Sequence, residues 1–181
     1  MAGLYYLAHS TLVTAGLFLL IEPISRQRGE LGGRLAPGPP IRPRHLLGWS
    51  FLIGAIAAVG IPPLSGFLGK MMILQSATGL PSAGWIYATL LLTGLLGLIG
   101  CSRAGNLVFW ETAGQAGDRP VAAATAGALG PPLALIGCSV LLTAGAGPIV
   151  DYAQTAAQQV VDPTGYIRAV LDQALASGRS R

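Results

Sequence analysis

Charge is confined to short stretches of this chain, and the runs between them are long and apolar. Residues 1–21, 46–69, 71–102 and 120–150 carry no Asp, Glu, Lys or Arg. Only 10% of the 181 residues are charged, where a soluble domain carries about 25%. Eighteen such side chains cannot cover a globule of this size, so the sequence reads as an all-α integral membrane protein. The 26 Gly and 13 Pro lie largely within the apolar runs, where transmembrane helices tolerate them. Cys101 and Cys138 both sit in apolar stretches, which excludes a secreted disulfide scaffold.

A hydrocarbon core of about 30 Å takes about 20 helical residues. Four segments qualify, at about 3–22, 46–79, 84–102 and 121–146, making residues 1–148 a membrane domain. The first is followed by Glu22-Pro23 and lacks a basic leader, so it is not a cleaved signal peptide. The second, as one straight helix, would be about 50 Å long. Its middle reads Gly60-Ile61-Pro62-Pro63-Leu64-Ser65-Gly66. Pro62 and Pro63 remove two N–H donors, and Gly60 and Gly66 loosen the flanks. This pattern predicts one discontinuous span, broken near 61–65. The alternative is two short spans joined by a turn. Broken helices recur at transporter ion sites.

Arg26, Arg28, Arg34, Arg42 and Arg44 crowd the first connection, which places it in the cytoplasm. With a single crossing for 46–79, the C-terminus falls outside. Residues 149–181 form an extramembrane tail. In it, Asp162-Pro163 opens an amphipathic helix with Tyr166, Ile167, Val170, Leu171 and Leu175 on one face.

Lys70 is the sole lysine, and it falls in the second half of the broken segment, about 13 Å from the end of that half-helix. Snorkelling covers only part of that depth. Intramembrane charge costs about 2.5–3.5 kcal/mol on insertion scales, so Lys70 must face a polar interior. An amine out of water sheds its proton more readily, which suits a proton carrier. The alternative is a lysine permanently paired with a carboxylate elsewhere. His9, inside the first segment, is either a relay group or a structural one; it shares a face with Val13 and Gly16. Thr11 and Thr14 can bond back to their own helix. Ser65, in the break, is expected to bond freed backbone groups, the alternative being that it holds water. No metal-ligand cluster, nucleophile elbow or phosphate loop is present, so no cofactor is expected and the chain reads as a transporter component rather than an enzyme. The net charge of +4 is read as loop arginine facing lipid headgroups, with no nucleic-acid partner.

Two stretches carry a family resemblance: Leu4-Tyr5-Tyr6-Leu7-Ala8-His9-Ser10-Thr11-Leu12-Val13-Thr14, and Gly60-Ile61-Pro62-Pro63-Leu64-Ser65-Gly66-Phe67-Leu68-Gly69-Lys70. Both resemble the antiporter-like superfamily that joins Mrp-type multisubunit cation/proton antiporters to the membrane arm of respiratory complex I. Ser102-Arg103-Ala104-Gly105-Asn106, Phe109-Trp110 and the tail from Asp162 are similar to the Mrp branch of it, in its D-type component. The resemblance covers the whole chain but only the C-terminal third of a usual member, so the chain is expected to be a fragment or a split gene product. It implies the last four spans of a fourteen-helix fold, in a bacterial cytoplasmic membrane, among other subunits of a hetero-oligomer. It implies that Lys70 is a pathway lysine, with His9, Ser10, Thr14 and Ser65 beside it. Thr14 stands where many members carry a lysine. The function implied is the exit half of a proton path that exchanges Na+ or K+ for H+. The alternatives are a proton-pumping subunit of a redox complex and a non-transporting scaffold.

Overall fold

The computed structural model describes residues 2–111, 126–161 and 171. The apolar runs become helices, and the described residues contain no strand. In chain order these are α1 (Ala2–Arg28), α2 (Arg44–Val59), α3 (Ser65–Ala77), α4 (Ala83–Gly105), α5 (Ala126–Ala144) and α6 (Ala146–Val161). Three of them, α1, α4 and α5, are long and apolar enough to cross a membrane. With 16 and 13 residues, α2 and α3 rise only about 24 and 20 Å, so each is short of a bilayer alone.

Packing shows how the two short helices combine. Along α1, His9 meets Ser65, Leu17 meets Gly54, and Leu20 and Ile24 share a cluster with Leu47. Rising numbers on α1 therefore meet falling numbers on α3 and then α2. Along α4 the same order holds: Tyr87 bonds Leu74, Gly94 faces Lys70, Gly97 faces Val59 and Gly105 faces Phe51. Thus α2 and α3 lie end to end between α1 and α4, as one discontinuous element. Antiparallel to α1 runs α5, with Tyr5 on the Leu142 carbonyl and Gly16 against Ile136. A Cβ at Gly16 would stand 3.0 Å from the Ile136 side chain, which explains why the small residue faces this helix.

The apolar core lies at the arginine-rich end. Leu20, Ile24, Ile41, Leu47, Phe109 and Leu129 form it, with Phe51, Val108 and Leu133 packed around. Phe109 reaches it because α4 does not stop near 102, as expected, but continues through a π-helical turn, Asn106–Trp110. The turn brings the Phe109 ring to 5.6 Å from that of Phe51.

Other boundaries differ from the sequence reading too. The first helix runs through Pro23 to Arg28 rather than ending near 22, with Gln27 Nε2 bonding back to the Pro23 carbonyl. Arg28 does not face headgroups. It is buried, and its guanidinium donates to the carbonyls of Gly32, Arg34 and Ala36. Gln27 Oε1 accepts the Arg42 N–H at 2.6 Å, so the Pro-rich connection folds back onto the helix end. Residues 146–161 form α6 immediately after α5, a helix the sequence reading does not anticipate. Its exposed Asp151, Gln154, Thr155 and Gln158 oppose a face of Ile149, Val150, Ala153 and Ala157. The helix expected from Asp162 lies outside the described residues.

Candidate functional site

At the end of α2 the backbone turns with Gly60 at φ +79°, a conformation that favours glycine. The Gly60 N–H bonds the Ala57 carbonyl (3.2 Å) and the Ile61 N–H bonds that of Ile56 (3.1 Å), the paired bonds of a Schellman motif. In a continuing helix, the carbonyls of Ala58 and Val59 would accept from residues 62 and 63. Both are proline and have no N–H to give. The break therefore strips two carbonyls of their helical donors at the middle of the bundle.

Lys70 answers one of them. Its Nζ donates to the Val59 carbonyl at 2.6 Å. Helical side chains lean toward the N-terminus of their own helix, so a lysine on the second turn of α3 reaches back to the break. Its stem passes Gly60, where a Cβ would stand 2.9 Å from Cδ and 3.1 Å from Cε. On the α4 side, a Cβ at Gly94 would stand 3.3 Å from Nζ. Two missing side chains thus make the slot in which the amine lies. The amine is half-buried, and the ion pair among the described residues is Arg26–Glu22, far along α1. Among the described residues, Lys70 is held by a carbonyl dipole and not by a carboxylate.

Gly66 joins this slot to a second group. A Cβ there would collide with the Ala57 carbonyl and stand 2.9 Å from His9 Nε2 and 3.1 Å from Gly60 Cα. His9 is 2% exposed, and its Nδ1 lies 2.8 Å from Ser65 Oγ. Ser65 Oγ in turn lies 3.0 Å from the Ser139 carbonyl on α5. That carbonyl also accepts from Thr143 Oγ1 at 3.2 Å. Ser65 has one hydrogen to give. When it donates to Ser139, His9 must donate from Nδ1. When it donates to His9, Thr143 still serves the Ser139 carbonyl. Ser65 can therefore serve either tautomer of the His9 ring at Nδ1, while the Ala57 backbone is the ring's other hydrogen-bond partner.

The structure brings His9, Ser65, Gly60, Gly66 and Lys70 together around the gap that Pro62 and Pro63 open. It does not bring Ser10 or Thr14. Ser10 bonds back to the Leu7 carbonyl at 3.2 Å, and Thr14 stands on the exposed side of α1. Ser65 does not serve the freed carbonyls of its own break; it reaches across to another helix, and Lys70 takes the role expected of it. Ser139 was missed. It is fully buried and is the one serine of α5, a signal that could have singled it out.

Comparison with known proteins agrees with this geometry. The model of the NADH:quinone oxidoreductase/Mrp antiporter transmembrane family matches residues 1–97, which hold α1, the break and Lys70. The chain is 35% identical over 180 residues to the D subunit of an Na(+)/H(+) antiporter of Alkalihalophilus pseudofirmus, covering 94% of this chain and 34% of that protein. It is 30% identical to the D subunit of a probable K(+)/H(+) antiporter of Rhizobium meliloti, covering 93% and 36%. It is also 34% identical over 122 residues to NADH-quinone oxidoreductase subunit 13 of Thermus thermophilus, covering 64% and 24%. The chain spans about a third of the length of the antiporter relatives it matches. A helix interrupted by paired prolines, a lysine folded back onto the break and a match over more than half the chain agree: this multi-pass membrane protein belongs to the NADH:quinone oxidoreductase/Mrp antiporter family.

Proposed function

We propose that this chain supplies the exit half of a proton path in a multisubunit monovalent cation/proton antiporter of the bacterial cytoplasmic membrane. The observation that carries the reading is the 2.6 Å contact between Lys70 Nζ and a carbonyl that Pro63 leaves without its helical donor. An ammonium makes a charge-assisted bond to that carbonyl, roughly twice as strong as a neutral amine's. Protonation therefore docks the side chain and deprotonation loosens it, within a slot that Gly60 and Gly94 keep open. His9, Ser65 and the Ser139 carbonyl form a second hydrogen-bonded chain on the other side of Gly66, which holds the His9 ring beside the break. Protons enter from other subunits or from chain outside these residues, and the monovalent cation is handled within the assembly. Residues 149–181 lie outside the membrane, with the tail at its outer face.

Two kinds of relative fit this reading unequally. The antiporter relatives match 93–94% of the chain, whereas the quinone oxidoreductase subunits match 64% and 45%. The reach of the first kind into the tail favours antiport over a redox-driven pump.

The test is Lys70→Ala in the intact assembly, read as cation-driven proton movement in everted vesicles with sodium and potassium supplied separately. Exchange should vanish while the complex still assembles on native gels. Lys70→Arg should fail as well, because a guanidinium does not deprotonate in proteins. Exchange at the parental rate in either variant overturns the role. The cation that drives the parental assembly identifies the exchanged ion.

A further inference from the structure

A second feature lies between α2 and α4, running from the arginine-rich end toward Val59 beside the break. Two cavities of about 300 and 340 Å³ there share Gly48, Leu52 and Trp110 in their linings, so they adjoin as two parts of one groove. Its mouth is at the arginine-rich end, between Arg44, His45, Trp49 and Trp110. Its body is apolar, with Phe51, Ala55, Ile56 and Leu98, and it closes at Val59 and Ile61. The polar lining of the body, Ser102 and Asn106, lies toward the mouth, since neighbouring Gly105 packs on Phe51.

We propose that this groove seats one acyl chain of an anionic phospholipid, with its phosphate on Arg44 and His45. Three observations argue for that occupant. First, the length fits: from Gly48 to Val59 the helix rises about 17 Å, close to one leaflet, or half of a core about 30 Å thick. Second, the charge fits. Arg44 and His45 line the mouth, and the Glu111 carboxylate accepts from Asn106 Nδ2 at 2.5 Å. Third, the mouth is built at headgroup depth. The Arg44 guanidinium sits 5.9 Å from the Trp110 ring, and Trp49 and Trp110 are both more than half exposed, as interfacial tryptophans are. Gly48 keeps the floor open. A Cβ there would meet Phe109 only at ordinary contact distance, 3.8 Å, so a larger side chain fits the fold but fills the groove.

The chain has three tryptophans, and Trp85 lies at the opposite end of α4. In Trp85→Phe, the full chain therefore reports from the groove mouth alone. It is placed in nanodiscs of zwitterionic lipid doped with phosphatidylglycerol or phosphatidylcholine bearing the same brominated chains. The anionic lipid should quench at about fivefold lower mole fraction, as expected for one basic group at the surface. Arg44→Gln with His45→Gln should erase the difference, and Gly48→Leu should do so without touching the charges. Circular dichroism on each variant confirms retained helix. Equal quenching by the two lipids, or by neither, overturns the proposal. So does selectivity that survives Gly48→Leu, which would put a headgroup on the arginines with no chain in the groove. Selectivity abolished by soluble glycerol phosphate assigns the site to free phosphate and overturns it too.

Discussion

The two ends of this bundle solve one problem in opposite ways. At the arginine-rich end, the connection after α1 leaves backbone carbonyls of Gly32, Arg34 and Ala36 without partners in regular structure, and the buried Arg28 meets all three. At the break, Pro63 deprives the Val59 carbonyl of its helical donor, and Lys70 meets it. A guanidinium keeps its proton under all physiological conditions, so the first arrangement is permanent. A lysine ammonium can lose its proton, so the second is conditional. The surroundings match this division. Arg28 lines one cavity with Leu20, Ile24 and Phe109 of the apolar cluster, whereas Lys70 lies in a slot defined by glycines. Under the proton role proposed for Lys70, the choice of cation, rather than the presence of orphan carbonyls, separates a clasp from a switch.

The largest effect should come from removing the glycine that lets the break close. Gly66→Ala has no room for its methyl group, which would collide with the Ala57 carbonyl, a backbone atom that cannot step aside alone. Overpacking of this kind costs about 1–3 kcal/mol and occasionally more. Because the obstacle is backbone, Gly66→Ala should lie at or beyond the upper end. A strongly lowered melting temperature, with loss of assembly, is the expected reading. A melting temperature within a degree or so of the parent would mean that the α2–α3 junction has slack to absorb a methyl group.

Exchanging the two cations sharpens the contrast. Arg28→Lys keeps the charge but loses the planar fork that reaches several carbonyls at once. Leaving these part-buried carbonyls without a partner costs less than the ~1–3 kcal/mol of a fully buried one, so this variant should unfold slightly earlier while its exchange per folded complex stays intact. Lys70→Arg should behave inversely, with stability close to the parent and exchange lost. Should Arg28→Lys also abolish exchange in folded complexes, the division between clasp and switch fails.

Ser65→Ala should have an intermediate effect. It removes the hydroxyl between His9 and Ser139 and leaves a buried ring nitrogen without its partner, at about 1–2 kcal/mol. The Ser139 carbonyl keeps Thr143, which limits the loss. Histidine NMR with labelled ring nitrogens reads this directly: the Nδ1 resonance should shift between parent and variant as its hydrogen bond is lost. An unchanged Nδ1 resonance would mean that Ser65 does not hold the ring.

Much of this was legible in the sequence, for physical reasons that differ by residue. Pro62 and Pro63 announce a break wherever they stand, because the missing N–H is local chemistry. Lys70 announces itself through the cost of charge in hydrocarbon. The Val59 carbonyl was within reach too, since it stands four residues before Pro63 and loses its helical donor there. Arg28 was not legible. Whether it faces water or folds inward depends on a connection that returns to α1, and composition carries no such information. Nor was the π-helical turn that sends Phe109 into the core. Ser10 and Thr14 shared a polar stretch with His9, but helical rotation turns them away from the break. Adjacency in sequence on a helix is not adjacency in space.

The smallest effect tests whether glycine matters by position or merely by number. Gly100 and Gly137 lie within α4 and α5, and a Cβ at either meets nothing within 4 Å. Gly→Ala in a helix interior gains about 0.5–1 kcal/mol by restricting the unfolded chain. Gly100→Ala and Gly137→Ala should therefore raise the melting temperature slightly and leave exchange untouched. Gly60→Ala, by contrast, must hold a positive φ and crowd the Lys70 stem, so it should lower both stability and exchange. If all three alanines gave the same small shift, the slot around Lys70 would be ordinary helix packing. A split between the first two and the third assigns to Gly60 a purpose that the open-faced glycines of α4 and α5 do not share.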